Sequence, residues 1–97
     1  MGLNDYELIY IVSPKVDEEH LTAVVEKVSK SVTDRGGTVE KIDQWGKKRL
    51  AYPIKHFNEG NYISAKIKLS PKSTAEMEAN LQINEDVIRH LLVKAGE

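Results

Sequence analysis

The architecture of this chain can be worked out from residues 6–12, which are Tyr6-Glu7-Leu8-Ile9-Tyr10-Ile11-Val12. The segment is rich in aromatic and β-branched residues and stops at Ser13-Pro14, so we predict a β-strand. Four apolar side chains share one parity of this strand, and Ile9 and Ile11 share the other. A strand that is apolar on both faces is usually central in its sheet, because both of its faces are covered.

A helix is predicted directly after this strand. Asp17 is a candidate N-cap, and five apolar residues then recur at helical spacing and form one stripe: Leu21, Val24, Val25, Val28 and Val32. Gly36-Gly37 is typical of a helix C-terminus. A second strand is predicted from Thr38 to about Trp45. Its apolar residues Val39 and Ile42 are three positions apart, which indicates a β-bulge.

The remaining elements are predicted from turn and period signals. Gly46 to Ile54 continues in extended form, and Pro53 places this stretch at an edge of the sheet or beyond it. Residues 56–61 are predicted as a loop, and the alternating residues 62–69 as a third strand. Ser70-Pro71 fits the start of a second helix, whose stripe is Thr74, Met77 and Leu81. A last strand covers residues 87–93, with Val87, Leu91 and Val93 at one parity and Ile88 and Leu92 at the other.

The order strand–helix–strand–strand–helix–strand predicts an α+β, ferredoxin-like βαββαβ fold. Right-handed crossovers give a four-stranded antiparallel sheet with both helices on one face and the first and third strands in the centre. The other face of the sheet is open, yet it receives Ile9, Ile11 and aliphatic residues of the last strand. Apolar residues on an open face suggest a partner surface, although scattered surface aliphatics are also common in soluble proteins.

The composition limits the function more than the fold. The 97 residues fit one domain, residues 1–97, and the chain has no cysteine for a disulfide, thiolate metal site or thiol nucleophile. No apolar run is long enough for a membrane span and no signal peptide is evident, so we expect a cytoplasmic protein. The net charge is −1, but residues 35–72 contain nine basic and three acidic residues, a net +6. A basic middle segment allows a nucleic-acid partner.

The sequence does not contain the groups that an enzyme needs. The three histidines have no metal-ligand spacing, and Gly36-Gly37 follows a helix, whereas a phosphate-binding loop would precede one. Acylphosphatases share the predicted topology, but their glycine-rich, arginine-bearing loop is replaced here by Ser13-Pro14-Lys15. RNA-recognition-motif domains share it too, but the third strand offers only Tyr62 for stacking. We therefore predict no enzymatic activity, no cofactor, no metal and no small-molecule substrate.

Residues 45–55 are the most informative segment for function. Three adjacent cations, Lys47, Lys48 and Arg49, can contact phosphates, and the flanking Trp45 and Tyr52 can stack on unpaired bases. Alternatively, the lysines protect an exposed edge strand from aggregation. The residue types alone do not decide between these two interpretations.

A family resemblance favours the first interpretation. Residues 46–55, Gly46-Lys47-Lys48-Arg49-Leu50-Ala51-Tyr52-Pro53-Ile54-Lys55, resemble the signature of the bacterial ribosomal protein S6 family. Three further stretches are similar to the family in the same order. They are the opening from Tyr6-Glu7 to Pro14, the start of the third strand at Gly60-Asn61-Tyr62, and residues 81–91 leading into the last strand.

The resemblance implies a structural protein of the small ribosomal subunit that binds central-domain 16S rRNA as a heterodimer with ribosomal protein S18. It implies rRNA contact by six residues: Lys47, Lys48, Arg49, Tyr52, Arg89 and Tyr6. The expected protein-partner surface contains Ile9, Ile11 and Trp45. The alternative from another class is a ferredoxin-like small-ligand or regulatory module that dimerises sheet to sheet. No membrane partner is expected under either hypothesis.

Overall fold

The structure is a computed structural model and describes residues 3–54 and 56–95. Its regular elements are β1 (Asn4–Val12), α1 (Glu18–Asp34), β2 (Thr38–Ile54), β3 (Phe57–Leu69), α2 (Thr74–Ile83) and β4 (Val87–Lys94). A single 3₁₀ turn, Pro71–Ser73, leads into α2. The four strands form one antiparallel sheet in the order β2-β3-β1-β4, so the ferredoxin-like fold and the central positions of β1 and β3 are confirmed.

The main core lies between the sheet and the two helices, on what we call the helix face. Its strand residues share one parity of β1 and β3, α1 contributes its predicted stripe with Leu21 at the margin, and α2 contributes Met77 and Leu81 of its predicted stripe but not Thr74. The most completely buried of these side chains are Leu8, Tyr10, Val12, Val32, Ile63, Ile67, Leu69 and Met77. Burial raises the pKa of the Tyr10 phenol well above its ordinary range, because the low-dielectric core disfavours the phenolate.

Local signals fix both ends of α1. Asp17 is the N-cap, and its Oδ1 accepts a hydrogen bond of 2.9 Å from the backbone N–H of His20. That hydrogen bond stabilises the carboxylate and lowers the pKa of Asp17 below its ordinary value. At the other end Gly36 adopts φ +78°, a conformation that favours glycine, and the backbone N–H of Gly37 returns to the carbonyl of Val32 at 3.0 Å.

Two predictions about β2 are confirmed. The strand lies at the edge of the sheet. Its pairing with β3 shifts between Val39 and Lys41, so Glu40 is an extra residue and a bulge is present. The bulge places both Val39 and Ile42 opposite helix-face residues of β3, Ile67 and Ala65, which explains their spacing of three.

The predicted loop over residues 56–61 is wrong, because β3 begins at Phe57. Ile54 pairs with Phe57, so β2 and β3 form a hairpin with only residues 55 and 56 between them. His56 has φ 72°, as a tight turn requires, and Lys55 lies outside the described residues. The polar run that suggested a loop, residues 58–61, is instead ordered by pairing with β2 and β1.

The predicted parity of the last strand is also wrong. Ile11 pairs with Arg89 and Val12 with Val87, so Ile88 is an extra residue of β4. This irregularity moves Val87 to the helix face together with Leu92, and it leaves Leu91 and Val93 on the opposite face with Ile88. A single extra residue inverts the parity of every position on one side of it, because the side-chain period of a strand is two.

Candidate nucleic-acid interface

The face of the sheet opposite the helices, here called the open face, is partly covered by the chain itself. The end of the β2–β3 hairpin, residues 46–61 and here called the outer hairpin, bends across it. Leu50 of β2 is buried against Ile11 of β1 and Ile88 of β4, although β2 lies at the far edge of the sheet. Ile54, Phe57 and Tyr62 pack around these three residues.

Gly60 allows this close approach. A Cβ at Gly60 would overlap the Cγ2 of Ile11 and would lie 3.3 Å from the carbonyl oxygen of Val12. A glycine inside an otherwise regular strand often marks such a close approach of another backbone or side chain. The outer hairpin is therefore packed onto the sheet and does not extend freely from it.

A polar contact also ties the outer hairpin to β4. The Arg89 guanidinium donates a hydrogen bond from Nη1 to the Tyr52 hydroxyl, and its Cζ lies 5.9 Å from the centroid of the Tyr52 ring. The contact closes one side of a cleft of about 220 Å³ between the hairpin and the sheet. Ile9, Leu50 and Leu91 are among the residues that line this cleft. Tyr52 stays 57% exposed, so the pair is accessible at the surface.

A second group of aromatic and basic side chains lies on the open face near the base of the outer hairpin. The rings of Trp45 and Tyr62 are stacked, with centroids 6.2 Å apart and an interplanar angle of 10°. The Nζ of Lys48 lies 5.4 Å from the centroid of the Trp45 ring. Lys15, which follows β1, reaches the outer hairpin, and its Nζ lies 5.7 Å from the centroid of the Phe57 ring.

The three adjacent cations point in two directions. Side chains alternate along a strand, so Lys48 faces the Trp45 side while Lys47 and Arg49 face the other side. Lys47 lines a polar cavity near the start of α1 together with Lys15. Within residues 3–54 and 56–95, no carboxylate lies within salt-bridge distance of Lys47, Lys48 or Arg49. Their charges are therefore available to an external anion.

The structure thus brings together most of the predicted site residues. Lys47, Lys48, Arg49 and Tyr52 all lie on the outer hairpin, and Arg89 joins them through Tyr52. Tyr6 does not join them. It is only 9% exposed and belongs to the helix-face core, so its proposed rRNA contact is corrected to a packing role.

The predicted partner surface is partly corrected as well. Ile11 is 6% exposed because Leu50 and Ile88 cover it, so it supports the outer hairpin and offers no surface to a partner. Ile9 is half-buried and lines the cleft. Trp45 is 46% exposed.

The sequence analysis missed two contributors, Tyr62 and Lys15. The third strand by itself offers only Tyr62 for stacking, but the stacking partner of Tyr62 is Trp45 of the neighbouring strand. The signal that could have found this pair is cross-strand register, since Gly46 pairs with Tyr62. Lys15 comes close to Phe57 only because the outer hairpin bends, and residue spacing does not encode that bend.

The described residues offer little support for other chemistry. In residues 3–54 and 56–95, no three His, Asp or Glu side chains are close enough to hold a metal ion. No helix in the same ranges is long and apolar enough to cross a membrane. A shallow groove of about 510 Å³ runs between α1 and α2, and its lining includes Lys27, Met77 and the exposed Ile83.

Comparisons with known proteins point to one family. The family model described as Ribosomal protein S6 matches residues 5–94. The small ribosomal subunit protein bS6 of Clostridioides difficile is 45% identical over 93 residues, which is 96% of this chain and all of that protein. The protein of the same name from Desulforamulus reducens is 41% identical over 95 residues, or 98% of this chain and all of that protein.

A solved structure agrees with these sequence matches. The crystal structure of 30S ribosomal protein S6 from Thermotoga maritima is similar with a TM-score of 0.90 and 30% sequence identity. The match covers 95% of this chain and 87% of that one. Proteins of this family are structural, non-enzymatic components of the small ribosomal subunit, which is cytoplasmic in bacteria. On these matches, the chain belongs to the ribosomal protein S6 family.

Proposed function

We propose that this small-subunit protein acts as one rRNA-binding domain, which binds central-domain 16S rRNA through the outer hairpin, together with ribosomal protein S18 on the open face. One observation carries the proposal. The outer hairpin presents Lys47, Lys48 and Arg49 without carboxylate partners in the described residues, while its underside is anchored to the sheet by Leu50 and Tyr52. A charged surface on an anchored scaffold loses little conformational entropy when it binds.

Because β2 lies at the edge of the sheet, an RNA can reach all three cations although their side chains point in two directions. Lys48 faces the open side of the sheet, whereas Lys47 and Arg49 face away from it. An RNA backbone that runs along the edge can be contacted from both sides of the strand, which a strand in the sheet centre would not allow. Each phosphate that a cation neutralises releases counterions, so binding should weaken as salt rises.

Tyr52 and Arg89 extend this surface onto β4. A guanidinium has five N–H donors in a planar fork. The hydrogen bond to the Tyr52 hydroxyl uses one of them and holds the group in place. The remaining donors can form a bidentate contact with a phosphate or with the edge of a guanine.

The aliphatic part of the open face supports a protein partner. Leu91 is 53% and Val93 is 46% exposed, and Ile9 pairs directly with Leu91 across the β1–β4 ladder. Burial of such a patch contributes about 25 cal/mol for each Å² of apolar surface that leaves water. We assign S18 to this patch because the family resemblance implies that partner. The patch contains the predicted Ile9, with Leu91 and Val93 in place of Ile11.

The same patch favours one competing function. A regulatory module of this fold would use Leu91 and Val93 to pair sheet to sheet with a second copy of the chain. That hypothesis predicts a symmetric homodimer in solution and RNA affinity that does not depend on salt. It makes no use of Lys47, Lys48 or Arg49.

A filter-binding titration tests the proposal. Central-domain rRNA is titrated across a salt series with and without S18, using the parent chain and a Lys47→Glu/Arg49→Glu variant. We expect tight binding only with S18, a logarithm of affinity that falls as the logarithm of salt rises, and roughly a tenfold or greater loss in the variant. The matched control is Lys27→Glu/Lys30→Glu on α1, which makes the same change in net charge on the helix side. Equal losses in both variants would contradict a role for the outer hairpin.

A further inference from the structure

We infer that Trp45 is a stacking site for one unpaired nucleobase, and that Lys48 beside it binds the phosphate attached to that nucleotide. The inference rests on the proposed function and deepens it, because it names which part of an RNA this site takes. It also moves Trp45 from the predicted protein-partner surface to the RNA side of the molecule. Three observations support it.

The first observation is the geometry of the indole. The β2–β3 register shifts between Gln44 and Gly46, so Trp45 is an extra residue in a bulge, and Gly46 follows it with φ +86°. Bulges re-aim side chains, and they are frequent next to functional sites. Trp45 is nearly half exposed despite its size, and the stacked Tyr62 ring fixes its plane. The outcome is a flat aromatic surface of defined orientation at the edge of the open face.

The second observation is the charge around the ring. Lys48 lies over the indole, whereas the preceding Lys47 faces the other side of the strand. The nearest carboxylate in sequence, Asp43, lies 3.8 Å from the ammonium of Lys41 and not within salt-bridge distance of Lys48. An aromatic ring with one ammonium beside it matches a nucleotide, whose base stacks while its phosphate pairs with that ammonium.

The third observation separates RNA from protein as the occupant of this site. An apolar protein partner that covered Trp45 would also have to remove Lys48 from water, and an unpaired buried ammonium is costly. The exposed aliphatic side chains Leu91 and Val93 lie on β4, at the opposite edge of the sheet from β2, where the neighbouring cation Arg89 already donates a hydrogen bond to Tyr52. The open face therefore carries Trp45 and Lys48 toward its β2 edge, and the exposed aliphatic side chains, here called the aliphatic half, toward its β4 edge.

The fluorescence of Trp45 provides the first test, because it is the only tryptophan in the chain. The full-length protein is titrated at low salt with an unstructured ten-nucleotide RNA and with an RNA duplex of the same length. Stacking of a base on the indole should quench its fluorescence with the single strand and not with the duplex. Equal quenching by both, or none with a single strand that filter binding shows to be bound, would overturn the inference.

Affinity measurements provide the second test. Trp45→Leu should weaken binding of the single strand by about 5- to 150-fold, the range for loss of one stacked base, with an unchanged salt slope. Trp45→Phe should recover a large part of this affinity. Urea unfolding of each variant establishes that it folds. Unchanged RNA affinity in folded Trp45→Leu, or a loss confined to S18 binding, would assign the indole to another role and refute the inference.

The two proposals fail in different ways. If Lys47→Glu/Arg49→Glu lowers RNA affinity and Trp45→Leu does not, the outer hairpin still binds rRNA and only the stacking site is wrong. If the parent chain with S18 binds no central-domain RNA at all, the proposed function itself is wrong, and the stacking site is refuted with it.

Discussion

The apolar side chains on the two faces of the sheet are covered in different ways. On the helix face, α1 and α2 cover a single cluster of fifteen buried residues within the described chain. On the open face of the described chain, the buried cluster is much smaller: Leu50 of the outer hairpin packs on Ile11 and Ile88. The helix face is thus completed by the chain's own helices, whereas much of the open face remains at the surface.

This difference separates stability from interaction. The helix-face core side chains are buried and mostly aliphatic, so they contribute to folding and not to binding. The open face concentrates the stacked aromatic pair with Lys48, the hydrogen-bonded Tyr52 and Arg89, and the exposed aliphatic residues of β4. The proposed function requires both a stable fold and an accessible binding surface. The two faces divide these requirements between them.

Truncation of one leucine on each face should show the largest contrast. Leu8 is fully buried on the helix face, and Leu50 is buried on the open face under the outer hairpin. We expect Leu8→Ala to lower the free energy of unfolding by about 3–5 kcal/mol and Leu50→Ala by about 2–3 kcal/mol, because the thin hairpin layer can collapse into the space left behind. Urea unfolding followed by far-UV circular dichroism measures both values. Equal losses would show that the open-face cluster is as much a core as the helix face.

Gly60 offers a way to disturb the hairpin cover without a change in the helix face. Its added Cβ in Gly60→Ala would overlap Ile11, so β3 or the Ile11 side chain must move. The expected cost is about 1–3 kcal/mol, typical of overpacking. Hydrogen exchange should show faster opening at Leu50 and Tyr52 with little change at Leu8. Gly46→Ala is the comparison, because nothing lies within 4 Å of its Cβ position and only its positive φ is strained. An unaltered outer hairpin in Gly60→Ala would refute the packing described here.

The helix face could be predicted from sequence because it depends on the spacing of apolar side chains and on local capping and turn residues. The parity of β1, the α1 stripe with its Asp17 cap, and the bulge between Val39 and Ile42 were all predicted from local spacing, and all are confirmed. Each depends on residues only a few positions apart. The edge position of β2 followed from Pro53 for the same reason.

The open face was harder to predict because it depends on curvature and register. Residue spacing predicts which parity Leu50 has, but it does not reveal that the hairpin bends far enough to reach Ile88 on β4. The extra residue at Ile88 likewise leaves no mark in the hydrophobic pattern, so Leu91 was assigned to the wrong parity group. The sequence singles out cations and aromatic residues by type alone. Their grouping around Trp45 and Arg89 required the structure.

Leu91 gives the smallest expected effect on stability and the sharpest distinction between the faces. It is more than half exposed on the open face, so Leu91→Ser should change the free energy of unfolding by less than about 0.5 kcal/mol. The same substitution should weaken S18 binding at least severalfold, because the aliphatic half of the open face loses apolar area at its centre.

Isothermal titration of S18 into the Leu91→Ser protein measures this effect, and Ile83→Ser is the matched control. Ile83 is even more exposed, at 77%, but it lies at the end of α2 on the helix side of the molecule. If the open face alone binds the partner, Ile83→Ser should leave the affinity for S18 unchanged. A loss of affinity in Ile83→Ser, with none in Leu91→Ser, would place the protein partner on the helices and reverse the division of roles between the two faces.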